Sequence, residues 1–286
     1  MKALERYGYD AVFAFMDLNI ETEALGSRLV YRSGNYPYVD SHAFSSNTNL
    51  QDAPIPDPFT SGRMPELLEA VTILRREVGN EVLVVSGVLG PMTLATQLVG
   101  METALYLAID DPEGFERLLD FSTEVIIRFG TAQIETGAHV PLVFDPSASG
   151  AVIPPQFFKE IVLPRLKRVF AAFNAAGSLA NWLHAAGPIA SILPLLSETG
   201  ADILNFDYCV DPSEVINKAP SLCCNGNLKP LDFEEASPEK ISSDSIRLQN
   251  LFADRGGYIL SSGCEIPPES RPENVEAMVR ATREWR

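Results

Sequence analysis

Read for hydrophobic spacing, the chain alternates short apolar runs with longer stretches that repeat at helical period. "AVFAFM" (11 to 16), "EVLVVSG" (81 to 87), "VPLVFD" (140 to 145), "LANWLH" (179 to 184), "ADILNFD" (201 to 207), "SLCCNGN" (221 to 227) and "GYILSSG" (257 to 263) predict strands. Between them the spacing predicts helices over 65 to 79, 91 to 109, 112 to 136, 155 to 176, 187 to 199, 212 to 218 and 238 to 255, with a last one opening at Pro272. In the helix over 112 to 136, Phe115, Leu118, Leu119, Val125, Ile126 and Phe129 fall on one face.

Several of the strands are too continuously apolar to have a wet face, which is the mark of parallel strands covered by helices on both sides. Eight such strands would close a β/α barrel, and the pattern supplies seven. The expected architecture is therefore an α/β fold, a TIM (β/α)8-type barrel that lacks its first strand or fills that place with another segment. No long linker or short repeat divides the chain, so residues 1 to 286 read as a single domain. The stretch 27 to 64, rich in Ser, Asn, Pro and Tyr, is a long irregular excursion that would lie over the barrel mouth as a lid or a decorative loop.

In a parallel barrel the C-terminal strand ends share one face, and there the chain places its chemistry. Asp17, Gly87 and Gly90, Asp145, His184, Asp207, Gly226 with Asn227, and Cys264 all follow predicted strands. His139 lies at the opposite end and reads as structural. Imidazole and thiolate are ligands that zinc prefers, so His184 and Cys264 are candidates for one metal site, with Cys209 as a further thiolate near the same mouth. The plain alternative is a histidine satisfied by a carboxylate and a cysteine packed as a small apolar group. Asp17, Asp145 and Asp207 could each cap a helix instead of meeting a substrate. Cys223 and Cys224 alternate across a strand and read as packing.

Composition narrows the function. The net charge of −16, from 22 basic and 38 acidic residues, repels nucleic acid and anionic membranes. No apolar run approaches the roughly 18 residues of a membrane span, and "MKALERYGYD" lacks the apolar stretch of a signal peptide. The expected location is the cytoplasm. There, four sparse cysteines are free or metal-bound and not disulfide-linked.

"MDLNIETEALG" (16 to 26), "GPMTLATQLVG" (90 to 100), "FDPSASGAVIPPQFFKEIVLPRLKRV" (144 to 169), "LHAAG" (183 to 187), "GNLKP" (226 to 230) and "LSSGCEIPPESRPENVEAM" (260 to 278) together resemble the uroporphyrinogen decarboxylase superfamily. "DPSASG" and the cysteine of "SSGCEIPPES" look like its branch of methylcobalamin:coenzyme M methyltransferases and other corrinoid-dependent enzymes. The decarboxylases carry a histidine where this chain has Cys264, and an arginine-rich N-terminal segment with no match here. The resemblance implies a TIM barrel with a zinc site at its mouth, built from a His-x-Cys pair and a distant cysteine. His184 matches the histidine, Cys264 the distant cysteine, and Ala186 stands where the middle cysteine belongs.

The activity so implied is methyl transfer from a methylated corrinoid protein, with methylcobalamin as the reactive form, to a small acceptor. That acceptor is a metal-activated thiol or a folate. Asp145 or Asp207 would orient a ligand or complete the metal shell. Asp17, Gly87, Gly90 and Asn227 would shape the substrate site, with the glycines giving close backbone approach. The alternatives are decarboxylation of a tetrapyrrole-like polycarboxylate, and a non-catalytic binding member of the superfamily.

Overall fold

A computed structural model describes residues 1 to 50 and 53 to 285. Its strands are β1 (Ala11–Ala14), β2 (Arg28–Val30), β3 (Tyr38–Ser41), β4 (Leu83–Leu89), β5 (Val140–Phe144), β6 (Trp182–Ala185), β7 (Ile203–Phe206), β8 (Cys223–Leu228) and β9 (Tyr258–Ser262). Seven of them form one parallel sheet in the order β1-β4-β5-β6-β7-β8-β9, while β2 and β3 make a separate antiparallel hairpin. All seven predicted strands are present. The architecture is an α/β fold of TIM-barrel type.

The interior strands are buried along almost their whole length, with β5 to β8 exposing at most part of one end residue. Helices cover their outer face, so Val, Leu and Phe are favoured at positions where a half-wet strand would carry polar residues. The helix Pro112–Thr136 shows how one such cover forms. Asp111 accepts a hydrogen bond from the Gly114 amide at 2.9 Å, Pro112 opens the first turn, and Gly137 at φ 127 ends the last. All six apolar positions predicted for its inner face are buried. Burying such a side chain contributes about 1.5–3 kcal/mol, and Leu119→Ala would cost about 2–5 kcal/mol because the neighbours close the cavity only in part.

β1 and β9 are the two edges of the sheet, and among the described residues no eighth strand lies between them. The edges are instead brought together by side chains. The helix Lys2–Tyr7 meets the helix Pro272–Glu284 through Arg6 and Glu276 at 2.9 Å, and Arg283 donates to the Gly8 carbonyl at 3.0 Å. Tyr7 and Tyr9 then pack against the apolar cluster of Leu228, Phe233, Leu248 and Val275. The ion pair is exposed and adds little, so the apolar contact carries this closure.

Three helices differ from expectation for local reasons. The helix over 91 to 109 breaks at Gly100, at φ 89, into Pro91–Val99 and Met101–Asp110, bent by 103°. The helix over 155 to 176 contains a π turn at Phe158–Val162, just before Pro164, whose missing N–H cannot sustain a regular turn. The stretch over 187 to 199 keeps only Leu193–Leu196 as helix, because Gly187 and Pro188 break its start, Pro194 is tolerated only in the first turn, and the Gly187 amide is bound elsewhere. Among the described residues no single helix is long and apolar enough to cross a membrane.

Candidate active site

A cavity of about 810 Å³ opens at the C-terminal ends of the strands. The β2–β3 hairpin, within the excursion over 27 to 64, contributes Tyr36, Pro37, Tyr38 and Val39 to its wall. Asn19 holds the hairpin by donating to the Pro37 carbonyl at 2.7 Å, and the Tyr36 hydroxyl donates to Glu265, next to Cys264. The predicted excursion therefore covers the mouth.

His184 sits at the end of β6 and is 8% exposed. Parallel register puts it level with Asn205 on β7, and Asn205 level with Asn225 on β8. These side chains form a polar ladder across the sheet. Asn225 donates to the Ile259 carbonyl at 3.2 Å. The Asn205 amide nitrogen donates to Asn225 Oδ1 at 2.5 Å and to the Ser262 carbonyl at 3.3 Å, which turns its oxygen toward His184 Nδ1. A carbonyl oxygen only accepts, so Nδ1 carries the proton and Nε2 presents its lone pair to the cavity side. Burial lowers the imidazole pKa, opposed by the Asn205 hydrogen bond and the charge of Asp207, and so favours the neutral ring.

Nε2 faces the Cys264 sulfur at 3.8 Å. Burial pushes this thiol up, the neighbouring Glu265 amide lowers it, and the charges of Asp207 and Glu265 raise it again. Without a cation beside it the sulfur stays protonated at neutral pH. Two ligands on a tetrahedral zinc, at the usual bond lengths, lie about 3.6 Å apart, so the pair fits as two members of a zinc shell. Ala186 lines the same cavity and offers no donor. Among the described residues no group of three His, Cys, Asp or Glu side chains is placed to hold a metal.

The Uroporphyrinogen decarboxylase (URO-D) family matches residues 1–285. The chain belongs to that family. Within it, the chain is 30% identical to "Methylcobamide:CoM methyltransferase MtaA" of Methanosarcina barkeri, over 98% of this chain and 81% of that protein. It is also 27% identical to "Uroporphyrinogen decarboxylase" of Novosphingobium aromaticivorans, over 100% of this chain and 83% of that one. A solved "methyltransferase from Methanosarcina mazei" superposes with a TM-score of 0.90 at 28% identity, over 99% of this chain and 82% of that chain. Family membership thus spans two reactions, and the site must distinguish them.

Of the nine residues predicted for the site, Asp17, His184 and Cys264 line the cavity of this family member. Asp17 receives Arg63 at 2.5 Å, and the same guanidinium binds Glu23 at 2.5 Å. Asp145 accepts from the Thr93 amide at 2.8 Å and hydroxyl at 2.7 Å, capping the helix Pro91–Val99. Asp207 accepts from the Gly187 amide at 3.1 Å and the Cys209 amide at 3.0 Å, tying the loop after β6 to the loop after β7. Asn227 donates to the carbonyls of Asp207 at 3.2 Å and Val210 at 2.9 Å. Gly90 gives room to the Asp145 carboxyl, and Gly87 to the Phe144 ring, whose Cε2 would lie 2.9 Å from an added Cβ. Cys209 is exposed and burial raises its thiol pKa.

Sequence reasoning missed Asn205, Asn225 and Gly263. The two asparagines were detectable as polar residues inside otherwise apolar strands. Gly263 lies against the Tyr208 amide so closely that a Cβ would collide with backbone, which brings the Cys264 loop down onto the β7 loop.

Proposed function

We propose that this chain is a corrinoid-dependent methyltransferase that moves a methyl group from a methylated corrinoid protein to a small acceptor, most naturally a thiol. The observation that carries this reading is the 3.8 Å approach of Cys264 Sγ to the unprotonated Nε2 of His184, on the wall of a large cavity at the strand ends. Likeness to MtaA of M. barkeri and to the M. mazei methyltransferase supports it. Decarboxylation of a polycarboxylate is disfavoured by the cavity wall, where among the described residues there is no Lys or Arg to neutralise substrate carboxylates.

His184 and Cys264 would hold zinc, which when bound supplies a Lewis acid that ionises the acceptor thiol at neutral pH. Asn205 fixes the ring so that Nε2 faces the ligand position. Asp207 is a positioning residue for the loop that carries Ala186, and Asp145 anchors the adjacent helix. The methylated corrinoid would be the substrate: the acceptor sulfur, its proton lost to solvent, would form the new S–C bond while the Co–C bonding pair stays with the corrinoid. Tyr36 and its hairpin exclude water from one side of the cavity, and the corrinoid protein would dock over the remaining opening.

The test is zinc quantification of the wild type, His184→Ala and Cys264→Ala, followed by spectroscopic assay of methylcobalamin demethylation with thiols and a folate. Zinc that depends on both residues, with consumption of methylcobalamin, is expected. Methylcobalamin left intact by every acceptor overturns the reading.

A further inference from the structure

The lining of the cavity also bears on what the acceptor looks like. Phe13 and Phe15 on the β1 side stack at 5.2 Å between ring centroids, with planes 7° apart. Phe144, at the end of β5, lies 5.3 Å from Phe15 and 6.0 Å from Phe13. Phe144 in turn meets the His184 ring edge-on at 5.4 Å. These rings form an unbroken aromatic wall from β1 to the imidazole. Trp182 and Leu142 extend the apolar surface. Phe13 is 43% exposed although it sits in a strand of the main sheet, so much of its ring surface has no protein partner.

The charges point the same way. The acidic residues on the wall are Asp17 and Glu265, and among the described residues the wall has no Lys or Arg. Arg63, which reaches Asp17, is shared with Glu23, so one guanidinium faces two carboxylates. A sulfonate or carboxylate entering here would lose hydration, meet no free cationic side chain and approach Glu265. Desolvating an unpaired anion is costly on any scale. The volume of about 810 Å³ leaves room for an aromatic body beside the sulfur.

Building on the methyl-transfer reading, we propose that the acceptor is an uncharged thiol with an aromatic body, whose ring lies on the Phe13, Phe15 and Phe144 wall and whose sulfur reaches the His184–Cys264 pair. The product is the corresponding aryl or arylalkyl methyl thioether. An offset-stacked or edge-on ring gains stacking beyond the burial of its area, and only the sulfur needs a polar partner.

Calorimetric binding of phenylmethanethiol and of 2-sulfanylethanesulfonate to the full chain tests this, alongside methylcobalamin consumption with each. The aromatic thiol should bind at least about tenfold more tightly, and Phe13→Ala, at a position 43% exposed, should keep the wild-type fold by circular dichroism and weaken that binding by about fivefold. Glu265→Gln should narrow the gap by improving the sulfonate alone. Equal or tighter binding of the sulfonate overturns the inference, as does a Phe13→Ala effect confined to KM for methylcobalamin, which would assign the wall to the corrinoid. If the preference is found while methylcobalamin stays intact, the binding inference stands and methyl transfer falls. If methylcobalamin is consumed without the preference, methyl transfer stands and the inference falls.

Discussion

The Asn205 side-chain oxygen accepts a hydrogen bond from Nδ1–H of His184, and through that one bond the sheet decides which ring nitrogen faces Cys264. Outer partners of this kind typically change metal affinity by about 10- to 100-fold. Asn205→Leu should therefore weaken zinc by that amount in a chelator competition. Asn205→Asp keeps the acceptor toward Nδ1 but loses the donors to Asn225 and Ser262, so it should retain more metal than Asn205→Leu and less than the wild type. Equal loss in both variants would show that the amide orients nothing and only supports packing.

Ala186 follows His184 by two residues, lines the same cavity and carries no donor. Ala186→Cys supplies a third soft ligand beside an imidazole and a thiol that already fit two positions of a tetrahedron. Zinc affinity should rise by more than the roughly 10- to 100-fold that outer partners command. The gain should vanish in Ala186→Cys combined with Cys264→Ala. An unchanged affinity would place residue 186 out of reach of the ion.

The strands were legible because burial on both faces leaves an uninterrupted apolar run, and His184 and Cys264 were legible because such a run ends abruptly in a chemically distinctive side chain. Asp145 and Asp207 end runs in the same way, yet their carboxylates bind backbone amides of neighbouring loops and helices. Nothing in a local pattern separates a carboxylate aimed at a substrate from one aimed at an amide. Asn205 and Asn225 act through strand register, and Gly263 through its approach to Tyr208, and neither relation is visible until the sheet is assembled. The hairpin of β2 and β3 was hidden because its strands bury no residue and so carry no apolar run.

Gly263 touches backbone on the β7 loop, so an added methyl has no flexible neighbour to displace. Gly263→Ala should push the Cys264 loop off that surface and separate the sulfur from His184. Overpacking of this kind costs about 1–3 kcal/mol. The variant should therefore fold with a lowered Tm but lose the zinc that depends on Cys264. Full zinc retention would mean that the loop has room to give.

Glu21 is buried, accepts the Leu89 amide at 2.8 Å, and is pushed by burial from an ordinary 4.5 to about 7, with the amide bonds opposing and the charge of Asp17 adding to the rise. The folded chain then holds a proton that the unfolded chain has released between pH 4.5 and 7. Stability contributed by this site is full below pH 4.5 and falls as pH rises through 7. At roughly 1.4 kcal/mol per pKa unit, the loss reaches on the order of 3 kcal/mol. Glu21→Gln keeps the acceptor oxygen and removes the ionisation. It should match the wild type in urea denaturation near pH 4.5 and exceed it by up to that amount at pH 8. The rest of the acidic surface gains charge equally in both proteins, so the difference between them isolates Glu21. Parallel stability curves across this range would show that Glu21 ionises in the folded chain as readily as in the unfolded one.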